Sequence, residues 1–85
     1  MTYFLYMLLD ASNKISYVGY TNNLIKRLNL HNSGKGAKFT RGRKWKLIYK
    51  IKCKSKVDAI KQEILLKKNR TLRNKIKSKY LLNIK

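Results

Sequence analysis

Proline is absent from this 85-residue chain, and cysteine, tryptophan and histidine occur once each. Acidic residues are nearly as scarce, at three. The single cysteine, Cys53, rules out an intrachain disulfide framework and a thiolate zinc site, and it fits a reducing intracellular compartment, cytoplasm or nucleus. Long apolar runs are missing too. Tyr3–Leu9 is far too short to span a bilayer and has neither the basic leader nor the small-residue cleavage site of a signal peptide, so no membrane partner is expected. No internal repeat and no linker interrupts the chain. Residues 1–85 leave room for one small domain with a modest core.

The scarcity of acids leaves 22 Lys and Arg nearly uncompensated, for a formal charge of +19. Self-repulsion on that scale opposes compaction unless a polyanion screens it, and phosphate backbones supply such charge at dense spacing. Two other sources of basic charge compete. Lys, Asn and Ile have A/T-rich codons, so an A/T-rich genome would raise the lysine content. A protein of anionic membrane surfaces would also be basic. The cations run along the whole chain rather than in one juxtamembrane cluster, which favours DNA, or RNA, as partner. Hydrophobic residues make up 44% and recur in ordered patterns, so the chain reads as globular.

Tyr3–Leu9 and Ile15–Tyr20 read as strands joined by the turn-prone Asp10–Lys14. A loop centred between Ala11 and Ser12 places Tyr6 opposite Tyr17, with both phenols on one face. Thr21-Asn22-Asn23 begins a helix that runs to about His31 and stops at Asn32-Ser33-Gly34. Leu24, Ile25 and Leu28 make its apolar stripe, and Arg27 and His31 share one flank. Gly34–Lys44 is a basic loop. In the third strand, Trp45, Leu47, Tyr49, Ile51 and Cys53 alternate with Lys46, Ile48, Lys50 and Lys52, which predicts one wet, cationic face. Ser55–Asp58 resembles a capping box ahead of a helix to about Lys68, with Val57, Ile60 and Ile64 inward and Glu63 beside that stripe. Thr71 is placed to cap a basic C-terminal helix over 71–82, with Leu72, Ile76 and Tyr80 on one face. The expected fold is α/β: a three-stranded antiparallel sheet flanked by helices.

Phe4-Leu5-Tyr6 followed by Tyr17-Val18-Gly19 resembles the paired motif of the GIY-YIG nuclease superfamily. Only the tyrosine of the first motif is retained; Phe4 and Leu5 stand where the family has Gly and Ile. The match continues in order through Arg27, His31 and Glu63. The stretch His31–Gly42 is similar to the one in the small, single-domain YhbQ-like branch. The resemblance covers about residues 3–70.

That resemblance implies a metal-dependent endonuclease hydrolysing phosphodiester bonds in DNA, with structured, nicked or single-stranded DNA as substrate class. Its catalytic residues would be Tyr6, Tyr17, Arg27, His31 and Glu63. Glu63 would hold Mg²⁺ or Mn²⁺; one carboxylate suffices for a hard cation that keeps its waters. Arg27 would pair with phosphate oxygens in a fork that Lys cannot copy. Tyr6 would be the general base, with Tyr17 orienting the water, although an ordinary phenol titrates near 10 and the imidazole of His31 is a rival.

Lys35, Lys38, Thr40, Arg41, Arg43, Lys44 and Lys67 are candidates to contact nucleic acid. Phe39 or Trp45 is placed to stack on an unpaired base, although Trp45 heads an apolar strand face and fits a core role better. Larger relatives carry an added recognition domain. Nothing of that kind fits here, so specificity is left to this domain, to substrate structure or to a protein partner. Asn69 and Asn74 are candidates for an asparagine that some relatives use.

Each residue also has a plainer reading. The tyrosines suit strand packing, Arg27 a solvated charge, His31 a helix end, and Glu63 an ion pair with Lys67. On those readings the protein is a non-catalytic basic DNA- or RNA-binding protein on the same fold. Their joint order favours the enzyme.

Overall fold

The computed structural model describes residues 2–83. Strand β1 (Tyr3–Asp10) is central in a three-stranded sheet of order β2-β1-β3, which explains its unbroken apolar run: both of its faces are covered. Leu5, Met7, Leu8 and Leu9 are all buried.

Strand β2 (Ser16–Thr21) pairs antiparallel with β1, but Tyr6 lies opposite Gly19 and Tyr17 opposite Leu8. The expected Tyr6–Tyr17 register is therefore two residues off. The turn decides this. The Asp10 carboxylate accepts from Ser12 Oγ (2.6 Å) and from the backbone N–H groups of Lys14 (3.1 Å) and Ile15 (2.9 Å), while Asn13 takes a left-handed φ of 63°. A shift of two preserves the face, so both phenols still point the same way.

Strand β3 (Trp45–Cys53) pairs with the other edge of β1 through a bulge: Tyr49 lies opposite Met7 and Leu47 opposite Leu8, leaving Ile48 as the extra residue. The bulge corrects the expectation of one continuous apolar side. Trp45 and Leu47 join Tyr6 and Leu8 on one face, whereas Tyr49 and Cys53 join Leu5 and Met7 on the other.

Helix α1 (Leu24–Asn32) is capped by Asn23, whose side chain accepts from the Lys26 N–H at 3.1 Å. Leu24, Leu28 and His31 form its inward line at i, i+4 and i+7. Ile25, expected in that stripe, is 77% exposed. The basic loop contains a 3-10 turn at Lys38–Thr40.

Helix α2 (Lys56–Lys68) starts as expected: Ser55 Oγ accepts from the Asp58 N–H, and the Asp58 carboxylate accepts from the Lys54 N–H. Its inward line differs. Ala59 and Leu66 are buried, while Val57 and Ile64 are exposed. Apolar residues fall all round this helix, so their pattern could not choose a face. The choice matters because Glu63, spaced i+4 from Ala59 and i−3 from Leu66, lies on the inward line itself.

Helix α3 (Arg70–Asn83) is capped by Asn69, which accepts from the Leu72 N–H at 3.0 Å, and not by Thr71. Arg73 donates to the Leu66 and Lys67 carbonyls and ties α3 to the end of α2. Helix α1 covers one sheet face and α2 and α3 the other. Among the described residues no helix is long and apolar enough to cross a membrane.

Candidate active site

A cleft of about 390 Å³ opens at the β2 edge of the sheet, lined by Tyr6, Tyr17, Gly19, Tyr20, Thr21, Arg27 and Glu63. β1 and β2 supply the phenols, α1 the guanidinium and α2 the carboxylate. Because β2 is the edge strand, α2 reaches past it from the opposite sheet face. Of the five residues expected to be catalytic, four line the cleft. The fifth, His31, lies fully buried behind Tyr6.

The rings of Tyr6 and Tyr17 are 6.4 Å apart, and His31 lies 5.8 Å from the first and 5.1 Å from the second. Tyr6 Oη is 2.8 Å from His31 Nε2, and His31 Nδ1 is 2.8 Å from Thr40 Oγ1. Donor and acceptor chemistry assigns the hydrogens along this chain. Thr40 Oγ1 also lies 2.9 Å from the Ala37 carbonyl, which can only accept, so the threonine hydrogen points there. The Ala37 N–H donates to the same Oγ1 at 3.2 Å. His31 Nδ1 must then carry a hydrogen and donate to Thr40. In the neutral imidazole, Nε2 is bare and accepts from the Tyr6 hydroxyl. Arg27 lines the same cleft as Tyr6, and its guanidinium acts on the phenol to lower its pKa.

The electrostatics agree with this assignment. Burial, reinforced by the Arg27 charge, lowers His31 to about 4, which keeps it neutral. Burial pushes the Tyr6 phenol up to about 12 against the opposing effect of Arg27. Glu63 is largely shielded, with 18% of its side chain exposed, and its Oε1 lies 3.7 Å from Lys67 Nζ.

Three further residues shape the site. A Cβ on Gly19 would meet Tyr6 Oη at 2.5 Å, and one on Gly36 would meet His31 Nδ1 at 2.4 Å. Gly19 was visible in the Tyr-Val-Gly motif; nothing singled out Gly36 within its glycine-rich loop. Asn32 accepts from the Trp45 N–H at 2.6 Å and donates to the Trp45 carbonyl at 3.2 Å, anchoring the end of α1 to β3.

Among the expected nucleic-acid contacts, Lys35, Lys38, Arg41, Lys44 and Lys67 are exposed. Arg43 is exposed as well but is partnered by Asp10 at 3.5 Å. Thr40 is a correction: it is fully buried and its hydroxyl is committed to His31 and Ala37, so it is closed to a nucleic acid. Trp45 is buried, with Nε1 donating to the Thr40 carbonyl at 3.0 Å, whereas Phe39 is exposed. Neither Asn69 nor Asn74 lines the cleft.

The donor set fits a hard divalent cation and no softer metal. Glu63 is the sole acid in the cleft, and no group of three or more His, Cys, Asp or Glu residues clusters among the described residues. Magnesium and manganese, completed by water and substrate oxygens, suit such a set; zinc does not.

Residues 2–77 match the family model of the GIY-YIG catalytic domain. This chain belongs to the GIY-YIG family. It is 47% identical over 60 residues to a UPF0213 protein of Streptococcus agalactiae, covering 69% of this chain and 68% of that one. It is 45% identical over 69 residues to one from Streptococcus pyogenes, covering 80% and 75%. The solution NMR structure of a UPF0213 protein from Bacillus halodurans superposes with a TM-score of 0.55 at 34% identity, over 92% of this chain and 84% of that one. GIY-YIG membership points to nuclease chemistry in general, to DNA as ligand and to a divalent metal as the usual cofactor. The UPF0213 relatives place the chain in the small YhbQ-like branch.

Proposed function

We propose that this GIY-YIG protein is a metal-dependent endonuclease that hydrolyses phosphodiester bonds in nicked, branched or single-stranded DNA. The observation that carries the reading is the convergence of Tyr6, Tyr17, Arg27 and Glu63 on one cleft from four elements, β1, β2, α1 and α2. Packing alone gives no reason for the least exposed part of α2 to hold an acid.

Tyr6 is the group that meets the attacking water, and His31 the group behind it. Tyr6 lines the cleft and His31 does not, which supports the phenol over the imidazole as the direct base. A phenol at about 12 is a weak base when it must ionise first. Arg27 lowers that value and favours the phenolate, which forms as the phenol proton leaves to solvent. The phenolate then takes a proton from the water, while His31, kept neutral, holds the phenol in line through Nε2. The hydroxide so formed attacks phosphorus, the P–O bond to the leaving oxygen breaks, and that oxygen is protonated from solvent. Tyr17 orients the water, and Arg27 holds a non-bridging phosphate oxygen. Glu63 would hold the divalent cation, which supplies Lewis-acid relief of charge on the phosphate and the leaving oxygen. Lys35, Lys38, Arg41, Lys44 and Lys67 hold the flanking backbone.

Incubating the protein with labelled nicked, branched and single-stranded DNA, with and without Mg²⁺ or Mn²⁺, tests this reading beside Glu63→Gln. Metal-dependent cutting that the variant loses is the expected result. Tight binding without cutting in any divalent ion replaces it with the non-catalytic binding protein that a charge of +19 also favours.

A further inference from the structure

Beside the Tyr6 cleft, and sharing Tyr17 with it, lies a second cleft of about 410 Å³ lined by Ser16, Tyr17, Val18, Phe39, Lys67 and Arg73. Its distinctive member is Phe39, which is 58% exposed although the residue after it is anchored. The next residue, Thr40, is fully buried and hydrogen-bonded to His31, and the Thr40 carbonyl is held by Trp45 Nε1. The phenyl ring stacks on Tyr17 at 6.1 Å with 23° between the planes. An aromatic surface is thus held open to solvent by a rigid support, directly beside the candidate catalytic centre.

We infer that Phe39 and Tyr17 form a platform for one unpaired nucleobase next to the scissile phosphate. Lys67 and Arg73 would lie against the phosphate of that same nucleotide. Three features agree on this occupant. The platform is aromatic and flat, which every base can use whatever its sequence. The opposite wall is cationic, which suits a nucleotide and opposes an apolar peptide. Lys67 lies 3.7 Å from Glu63, so the two clefts are contiguous and a strand can run through both. A base inside a duplex already has both faces stacked and offers none to Phe39, so the platform selects substrates that are single-stranded beside the cut. This inference rests on nucleic acid entering the Tyr6 cleft, and it deepens the proposed function by assigning the feature that distinguishes unpaired DNA.

Binding measured in EDTA tests it without any cleavage. Fluorescence anisotropy compares a single-stranded oligonucleotide with a blunt duplex of the same sequence, for the parent protein, Phe39→Ala and Phe39→Trp. Phe39→Ala is expected to weaken single-strand binding about tenfold and duplex binding by no more than about twofold, with Trp restoring the difference. A 2-aminopurine base within the single strand reports stacking in the unsubstituted protein, so the test survives a variant that fails to fold. Its fluorescence is expected to drop on binding and to stay unchanged when the same base is paired. Equal losses on both ligands, no loss, or an unresponsive 2-aminopurine overturns the platform. None of these results depends on whether the protein cuts, so failure of the platform and failure of the nuclease reading are distinct outcomes.

Discussion

Tyr6 Oη and His31 Nε2 are 2.8 Å apart, and the bonds behind them assign the shared hydrogen to the tyrosine. That direction is set one bond further back, where Thr40 accepts from Nδ1 because its own hydrogen is spent on the Ala37 carbonyl. A buried threonine within a basic loop therefore decides which way a phenol points in the cleft.

This assignment can be read directly. His31 is the only histidine, so ¹⁵N-labelled protein gives a single imidazole spectrum. The Nδ1–H tautomer is expected in the parent and in Thr40→Ser. Thr40→Val removes the acceptor and should shift the ring toward Nε2–H, at a stability cost of about 1–3 kcal/mol for the disrupted buried bond. An Nε2–H imidazole in the parent protein would refute the chain as drawn.

Gly19→Ala places a methyl group against the Tyr6 hydroxyl, since a Cβ there would lie 2.5 Å from Oη and 2.7 Å from Cζ. Both contacts are with a buried ring that has little room to move. Urea denaturation should show a loss of about 1–3 kcal/mol. Cleavage should fall by more than the unfolded fraction explains, because the phenol is pushed off its line to His31. Unchanged stability and turnover would mean that the ring yields freely.

Stability should depend on pH through His31. Its folded value of about 4 lies below the ordinary 6.5, so the unfolded chain takes up the proton first as pH falls. The neutral imidazole's contribution is complete above pH 6.5, declines between 6.5 and 4, and is lost below that. The decline amounts to about 3 kcal/mol. Equilibrium unfolding at pH 7 and at pH 4.5 measures most of it. Equal stability at the two values would show that the buried ring is not held neutral.

Arg27→Lys keeps the charge and removes the fork. Affinity for DNA in EDTA should change by no more than about twofold, because many other cations carry it. The cleavage rate should drop at least about tenfold, because an ammonium lacks the planar fork that pairs with phosphate oxygens. Parent-like turnover would remove Arg27 from the chemistry.

Much of this arrangement was legible in the chain. Element order, the α/β class and the starts of α1 and α2 followed from the strand patterns, from the capping run Thr21-Asn22-Asn23 and from Ser55, although which of the three residues caps α1 did not. The face of Tyr6 and Tyr17 was legible too, although their register was not. Turn propensity places the loop's midpoint between Ala11 and Ser12, whereas the hydrogen bonds of Asp10 and the left-handed Asn13 move it by one residue. The bulge at Ile48 had no local signal, because alternation continues through it while the pairing slips. Thr40 looked like a surface contact because the residues around it are basic and exposed.

Local composition and spacing by themselves determined the positive charge, the succession of elements and the family to which the chain belongs, because those depend on near neighbours along the backbone. Tertiary structure alone decided which side of α2 faces the sheet, and so whether the carboxylate at 63 enters the cleft. It also decided that the imidazole is sealed behind the first phenol and that residue 40 is its anchor. Apolar residues are spread round helix α2 rather than gathered on one side, and only packing against the strands breaks such a tie. The hydrogen-bond chain joins groups far apart in sequence, whose meeting no local pattern records.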